Sequence, residues 1–219
     1  MPKTIVVLFL EGATEVEFYK KLVTWVRAQQ PDAGCRVDFF DLSGVGEYAK
    51  KAGRIFEKRV KPKYRDARIK VGLCYDSDVF EFSQHPPVDW DVVVKNLKER
   101  GAAEVLQIVA KTSIEDWFLK DPHGLRKFLR LSQKTRVENF RGCKGLQELF
   151  RKAGKVYVKG SSCKGLVEHL DMSVIAPAIA EEINIIKGML DFDSESTDTE
   201  RTNGRAGKPS RSHKRSMLR

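Results

Sequence analysis

One stretch of the sequence decides the fold: Lys70-Val71-Gly72-Leu73-Cys74-Tyr75-Asp76-Ser77-Asp78. It is an apolar run with the length of a buried β-strand, and it ends abruptly in two carboxylates, Asp76 and Asp78. Because successive side chains of a strand alternate between its faces, these two carboxylates point the same way from the carboxyl end of the strand. The pattern predicts a site that uses both acids together.

A second apolar run has the same form. Residues 4–10 read TIVVLFL and are followed directly by Glu11. Such strands are typical of a parallel sheet covered on both faces, which binds ligands outside the carboxyl ends of its strands. If the two strands are neighbours, Glu11 meets Asp76 and Asp78, and a divalent cation would relieve the repulsion between them. Because a set of oxygen ligands suits Mg²⁺ or Mn²⁺, we predict such a site here.

The remaining segments extend this pattern to a complete fold. Strand-like runs at residues 36–42 and 105–110 alternate with segments of helical periodicity, in the order β-α-β-α-β-α-β. This order predicts the α/β class, with a small parallel sheet and helices on both faces. We expect a catalytic domain over residues 1–130, a helical and basic extension over 131–190, and a disordered charged tail over 191–219.

Two further acids stand where a strand passes into a helix. Glu15 lies one turn beyond Glu11, within a T-x-x-E capping box that predicts a helix starting at Thr14. Glu115 follows Ser113, which is placed to cap the next helix, and Asp116 is its neighbour or substitute. Both glutamates are candidate metal ligands. The alternative is that each acid only complements the dipole at the amino end of its helix.

The composition favours a polyanionic partner. The 219 residues contain 40 Lys and Arg against 30 Asp and Glu, which gives a net charge of +10. Arg54 and Lys58 lie on the basic face of a predicted helix over residues 48–60, and we predict that they contact a nucleic-acid backbone. Two other interpretations stay open: a solvated helix face, and a soluble basic protein without a nucleic-acid role.

The cysteines and the hydropathy of the sequence indicate its cellular location. The four cysteines form no C-x-x-C pair and have no zinc spacing with the histidines, so we do not expect a zinc site. Neither a signal peptide nor an apolar run of about 20 residues is present, so no membrane partner is predicted. We therefore expect a reducing, cytoplasmic location.

The arrangement of the acidic motifs resembles a known family. Glu11-Gly12-x-Thr14-Glu15 after a first strand and Asp76-x-Asp78 after a later one resemble the Toprim domain, and residues 113–119 resemble the third acidic segment of OLD-like and RloB-like Toprim nucleases. The resemblance covers about residues 4 to 120. It implies a Toprim/Rossmann-like fold and a Mg²⁺-dependent or Mn²⁺-dependent endonuclease acting on DNA or RNA. It also implies a role in prokaryotic defence, with a regulatory ATPase or another defence protein as partner.

In this interpretation Glu11 is a catalytic residue as well as a metal ligand. Related nucleases often place a late lysine near the metals, and Lys159 or Lys164 resembles it. These lysines lie among Gly and Ser residues, a combination that binds phosphate, although a plain surface loop has the same composition. The alternative function is a Toprim-like module that binds DNA or RNA without cleaving it. The chain lacks the glycine pattern of a dinucleotide-binding dehydrogenase.

Overall fold

Four parallel strands form one sheet in the order β2-β1-β3-β4. The computed structural model describes residues 3–30, 34–78 and 88–190. The two strands that precede the predicted acids are neighbours at the centre of the sheet, where Ile5 pairs with Ile69 and Phe9 with Leu73. The strands are β1 (Thr4–Leu10), β2 (Arg36–Asp41), β3 (Arg68–Asp76) and β4 (Glu104–Ala110).

Strand β1 is apolar throughout because it contributes to a core on each face of the sheet. Val6, Leu8 and Leu10 face one core, and Ile5, Val7 and Phe9 face the other. All six side chains are at most 2% exposed. Burial on both faces is the physical reason that the strand shows no alternation of polar and apolar residues.

The face of the sheet that Val7 contacts is covered by the helices between β2 and β4. The chain from Tyr48 to Lys63 is continuously helical, but its middle turn is π-helical. The elements are α2 (Tyr48–Ile55), the π-helical turn (Phe56–Val60), α3 (Lys61–Lys63) and α4 (Trp90–Glu99).

The opposite face is covered by the first helix and by the carboxyl-terminal part of the chain. The helical extension does not end in one continuous helix, because its last part is interrupted at Leu170 and Asp171 and contains a 3₁₀ segment over Ala176–Ile179. The elements are α1 (Ala13–Gln29), α5 (Ile114–Phe118), α6 (Pro122–Leu129), α7 (Gly142–Lys152), α8 (Lys164–His169), α9 (Met172–Ile175) and α10 (Ala180–Leu190).

The predicted fold class is confirmed. A small parallel sheet with helices on both faces and a helical carboxyl-terminal stretch is the architecture expected of a Toprim/Rossmann-like chain. The predicted division at residue 130 stays a prediction, and one hydrophobic core contains side chains from both sides of it. The predicted tail over 191–219 lies outside the described residues. Within the described ranges, no helix combines the length and the apolar character needed to cross a membrane.

Candidate active site

The carboxyl ends of β1 and β3 are joined through two of the predicted acids. The backbone N–H of Asp76 donates to Glu11 Oε1 at 2.8 Å. Asp76 Oδ1 in turn accepts from the backbone N–H of Ile114, the first residue of α5, at 3.0 Å. Ser113 is the N-cap residue, as predicted, but within the described residues its side chain makes no capping hydrogen bond, and Asp76 accepts from the start of the helix instead. Asp76 thus fixes the start of α5 against the sheet.

Glu15 and Glu115 approach the same point from two helices. Glu15 is 5% exposed and Glu115 is fully buried, and both interact electrostatically with Glu11. The hydroxyl of Tyr157 donates to Glu115 Oε1 at 2.9 Å, which orients that carboxylate. Asp116 instead accepts from the backbone N–H of Gly142 at 2.7 Å, at the start of α7. Glu115 therefore lies in the group of acids, whereas Asp116 binds the start of α7.

One lysine lies among these acids. Lys159 Nζ is 3.0 Å from Asp76 Oδ2 and 3.3 Å from Asp78 Oδ2, so both aspartates face the same ammonium group. The Lys159 side chain is 34% exposed and the Asp78 side chain 25% exposed, so the site opens to solvent on this side. We call this group the carboxyl-end cluster. It comprises Glu11, Glu15, Asp76, Asp78, Glu115 and Lys159.

Lys159 is positioned by a loop that binds the start of α1. The backbone N–H of Ala13 donates to Gly160 O at 3.3 Å, and Thr14 Oγ1 donates to Ser161 O. Gly12 permits this approach, because a Cβ at position 12 would lie 3.1 Å from Gly160 Cα. The loop is thus held against the helix that carries Glu15.

The predicted capping box at Thr14 and Glu17 is wrong for the same reason. Helix α1 begins at Ala13, its N-cap is Gly12, and no side chain of the described ranges caps it. Glu17 accepts from the hydroxyl of Ser162 and, at 3.0 Å, from the backbone N–H of Cys163. Both residues of the apparent capping box therefore bind a loop some 145 residues further along the chain.

The pKa values of the cluster follow from its burial and its excess of acids. Burial raises the pKa of Asp76 to about 8 and that of Glu15 to about 7, with repulsion from Glu11 and Glu115 adding to both shifts. Burial would lower the pKa of Lys159, but attraction by Asp76 outweighs it and the pKa is raised. Asp76 and Glu15 interact with each other through Glu11 and Glu115, and without a further cation these two groups bind protons near neutral pH.

The donor chemistry of the cluster fits a hard divalent cation. Among the described residues, no hydrogen-bond donor satisfies the buried oxygens Glu15 Oε2, Asp78 Oδ1 and Glu115 Oε2, whereas the Lys159 ammonium compensates Asp76 Oδ2 at 3.0 Å. Buried oxygens of this kind are costly unless a cation or proton compensates them, and oxygen ligands suit Mg²⁺ or Mn²⁺. In the described ranges, however, no three Asp, Glu, His or Cys side chains converge in a ready metal site. The Lys159 ammonium lies between the two aspartates instead.

The other predicted residues lie elsewhere. Lys164 is the first residue of α8, its side chain is 74% exposed, and its ammonium is 3.8 Å from Glu168. It lines a groove with α1 residues rather than the cavity of the cluster. Arg54 and Lys58 are exposed on α2 and the π-helical turn. Their predicted contact with nucleic acid stays a prediction.

Sequence reasoning missed the residues that hold the cluster in place. Tyr157 gives a signal in retrospect, since it lies two residues before Lys159 and would share its side of an extended segment. Gly160 gives no such signal, and neither does Gly44, whose backbone N–H donates to Glu11 O at 2.7 Å. A cavity of about 480 Å³ adjoins the acids and is lined by Glu11, Gly12, Glu15, Asp41, Ser43, Gly44, Lys159, Gly160 and Ser161.

No protein-family model and no curated protein matches this chain. Among solved structures, the chain is similar to the C-terminal region of the OLD protein of Xanthomonas campestris pv. campestris. The two are 14% identical, with a TM-score of 0.45, and the match covers 84% of this chain and 95% of the other. The function proposed below therefore rests on the geometry of the cluster.

Proposed function

We propose that this protein is a hydrolase of nucleic-acid phosphodiester bonds that depends on a divalent cation. One observation carries the proposal: buried and half-buried carboxylates from four segments meet at one end of a parallel sheet, and several of their oxygens have no donor among the described residues. Burying charge without compensation costs several kcal/mol, so on stability alone such a group is unfavourable. Strongly perturbed acids in a cleft are typical of functional sites.

The residues that would hold the cation are the acids of the cluster. Glu11, Asp76 and Asp78 form the first set, and Glu15 and Glu115 complete it or form a second. When bound, Mg²⁺ or Mn²⁺ activates a water molecule and neutralises charge on the phosphate.

The chain's own groups orient these ligands and add positive charge. Tyr157 holds the carboxylate of Glu115, and the backbone N–H of Asp76 holds that of Glu11. The Lys159 ammonium stabilises negative charge that develops on the phosphate, as preorganised cations do in phosphoryl transfer. Its loop is fixed to α1, so little reorganisation is needed.

The substrate class follows from charge. A net charge of +10, in a chain that gathers five acids at one site, favours a polyanion held by the basic surface and cleaved at the cluster. A role in prokaryotic defence, and a regulatory ATPase or another defence protein as partner, belong to this proposal through the family resemblance alone.

A second candidate function has a specific observation in its favour. Lys159 already pairs with Asp76 and Asp78, so it serves as an internal counter-ion for the acids. A module that binds nucleic acid without cleaving it would need nothing more. The two candidates differ in their response to divalent ions, because a binding module leaves its substrate intact under all conditions.

The discriminating experiment is incubation of the purified chain with plasmid, linear DNA and total RNA. Each substrate is tested with Mg²⁺, with Mn²⁺ and with a chelator, and the products are separated on gels. We expect cleavage of at least one substrate with a divalent ion and none with chelator. Intact substrates in every lane, together with measurable binding, would establish the second candidate.

Neighbouring acids provide a matched pair of variants for this assay. Glu115→Gln keeps the acceptor for Tyr157 but removes a charge from the cluster, and we expect cleavage to fall by about 10²-fold. Asp116→Asn keeps the acceptor for Gly142, and we expect activity within about threefold of the parent, because a well-placed hydrogen bond is retained. Equal losses in the two variants would remove Glu115 from the site.

A further inference from the structure

An open basic groove lies between α6, α7 and α8, apart from the cavity of the cluster. Its volume is about 1030 Å³. It exposes several cationic side chains around the half-buried ring of Phe128. Its lining residues are Lys127, Phe128, Leu129, Arg130, Leu131, Ser132, Thr135, Lys152, Ala153, Lys155 and His169.

The charge of this groove has one sign. None of the described residues that line it is acidic. Lys152 is 3.6 Å from Glu148, a neighbour on its own helix, whereas no described carboxylate lies within ion-pair distance of Lys127 or Arg130. Lys155 Nζ lies 4.5 Å from the centre of the Phe128 ring. A concave surface that combines unpaired cations with an aromatic ring suits a chain of phosphates with accessible bases.

Arg130 occupies a backbone conformation that arginine rarely adopts. It ends α6 in the left-handed region, at φ 56° and ψ 38°, where glycine is usually found. The conformation is unfavourable for a residue with a Cβ. The exposed guanidinium at this position lines the groove, so the position carries a charge where a glycine would be less strained.

A short chain segment and a row of packed aromatic side chains connect the groove to the carboxyl-end cluster. Lys155 lines the groove, and Lys159 lies four residues further along, at most about 14 Å away in an extended chain. The ring centres of Phe128 and Phe150 are 5.9 Å apart, and those of Phe150 and Tyr157 are 5.2 Å apart. Since Tyr157 binds Glu115, packed side chains connect the groove to the acids.

The connecting segment has an apolar outer side. Val156 and Val158 are 84% and 56% exposed, whereas Tyr157 between them is buried. Large exposed aliphatic side chains on a segment between a basic groove and an acidic site are available to contact bases. In a duplex the base faces are covered by stacking, whereas in a single strand they are open.

We propose that the groove binds single-stranded nucleic acid next to the phosphodiester that is cleaved. The strand lies with its phosphates on Lys127, Arg130 and Lys155 and passes over Val156 and Val158 towards the cluster. This proposal rests on the proposed function for its direction towards the acids, but binding in the groove is measured separately from cleavage.

The test is fluorescence anisotropy of the full chain with a labelled single-stranded DNA 20-mer, in chelator, over a range of salt concentrations. The groove variant is Lys127→Gln with Lys155→Gln. We expect affinity to fall by about tenfold, and the slope of log affinity against log salt to fall by about 1.4, at about 0.7 for each phosphate contact. Single-stranded RNA and duplex DNA of the same length form two further arms.

The binding of three further variants is compared with that of the groove variant. Lys95→Gln with Lys98→Gln removes the same charge from α4, on the opposite face of the sheet, and we expect less than a twofold change. Arg130→Gly should weaken binding without lowering the melting temperature, which separates lost binding from lost folding. Arg54→Gln with Lys58→Gln tests the surface predicted from the sequence.

Three outcomes would contradict the proposal that the groove binds single-stranded nucleic acid. These are equal losses in the groove and α4 variants, a loss confined to the Arg54 and Lys58 variant, or tighter binding of the duplex than of the single strand. Because no cation is present, such a result leaves the proposed hydrolysis untouched. Conversely, an intact groove combined with no cleavage in any divalent ion would reject the hydrolase and retain the binding site.

Discussion

Two groups of charged side chains on the same sheet have opposite ratios of acid to base. On the outer strand β2, a single acid, Asp38, accepts from Arg36 at 3.1 Å, from Lys63 at 2.6 Å and from the Tyr64 hydroxyl at 2.6 Å. We call this the Asp38 cluster. In the carboxyl-end cluster, five acids share Lys159 as the only lysine that the described residues place in ion-pair contact with them.

The pKa values follow these ratios. Partial burial alone would raise the pKa of Asp38, but hydrogen bonds from Lys63, Tyr64 and Arg36 lower it below its ordinary value. Burial raises the pKa of Asp76 to about 8, and Lys159 only partly opposes the shift. A carboxylate with several cationic or hydroxyl donors has a lowered pKa, and its ionised form stabilises the folded state. Carboxylates that share too few donors have raised pKa values, and their ionised forms do not stabilise it. The comparison supports the proposal that the carboxyl-end cluster binds a cation.

The largest expected effect comes from neutralising one acid in each cluster. Asp76→Asn should reduce cleavage by about 10²-fold to 10³-fold, as losses of charge-stabilising groups do. Asp38→Asn should leave cleavage unchanged and lower the free energy of unfolding by about 1 kcal/mol, because its partners are largely exposed. The measurements are cleavage rates and urea denaturation of both variants.

The stability of Asp76→Asn sharpens this comparison. Since the pKa of Asp76 is raised, the folded state binds more protons than the unfolded state between about pH 4 and pH 8, and stability falls as pH rises through this range. In chelator at pH 8, the asparagine variant should therefore be at least as stable as the parent. A large loss of stability there would mean that the charge of Asp76 supports the fold.

The next effect is the pH dependence of cation binding. Because the pKa values of Asp76 and Glu15 are raised to about 8 and about 7, protons compete with a cation at pH 6 and much less at pH 8. We expect Mn²⁺ affinity, measured by calorimetry, to be roughly tenfold or more higher at pH 8. Equal affinity at the two pH values would show that the cation binds away from these acids.

The smallest expected effect tests the loop that carries Lys159. A methyl group in Gly12→Ala would crowd Gly160 Cα and Glu15 Oε2, each 3.1 Å from the new carbon, so the loop must shift by a few tenths of an ångström. We expect about a fivefold loss of cleavage, since small misplacements of catalytic groups are costly. Gly46→Ala is the control, because no atom in the described part of the chain lies within 4 Å of its Cβ position. Equal cleavage rates for the two variants would show that the position of the Lys159 loop does not affect cleavage.

The strands and their acids were readable from the sequence because the signal is local. The run TIVVLFL predicted β1 with its observed bounds, and the carboxylates after β1 and β3 followed from the rule for parallel sheets. The sequence favoured Glu115 as the ligand but left Asp116 open as its substitute. The side chains of neighbouring helix residues point in different directions. Here the hydrogen bond from Tyr157 to Glu115 and the one from Gly142 to Asp116 show which carboxylate lies in the cluster.

The local signals also misled where a distant segment competed for the same groups. Thr14 and Glu17 have the spacing of a capping box, yet both bind the loop over residues 160–163. Ser113 has the position of a cap, yet Asp76 accepts the hydrogen bond from the start of the helix. In each case a partner far away in sequence bound a group that a local rule assigns to the helix end.

The sequence by itself determined the parallel sheet and the end of the sheet at which the acids gather, because strand periodicity and apolar runs depend only on neighbouring residues. Only the tertiary structure decided that Lys159, and not Lys164, lies among those acids, and that a basic groove forms between α6, α7 and α8. The reason is physical: the position of a loop is set by the groups it packs against, and here these lie on a helix at the other end of the chain.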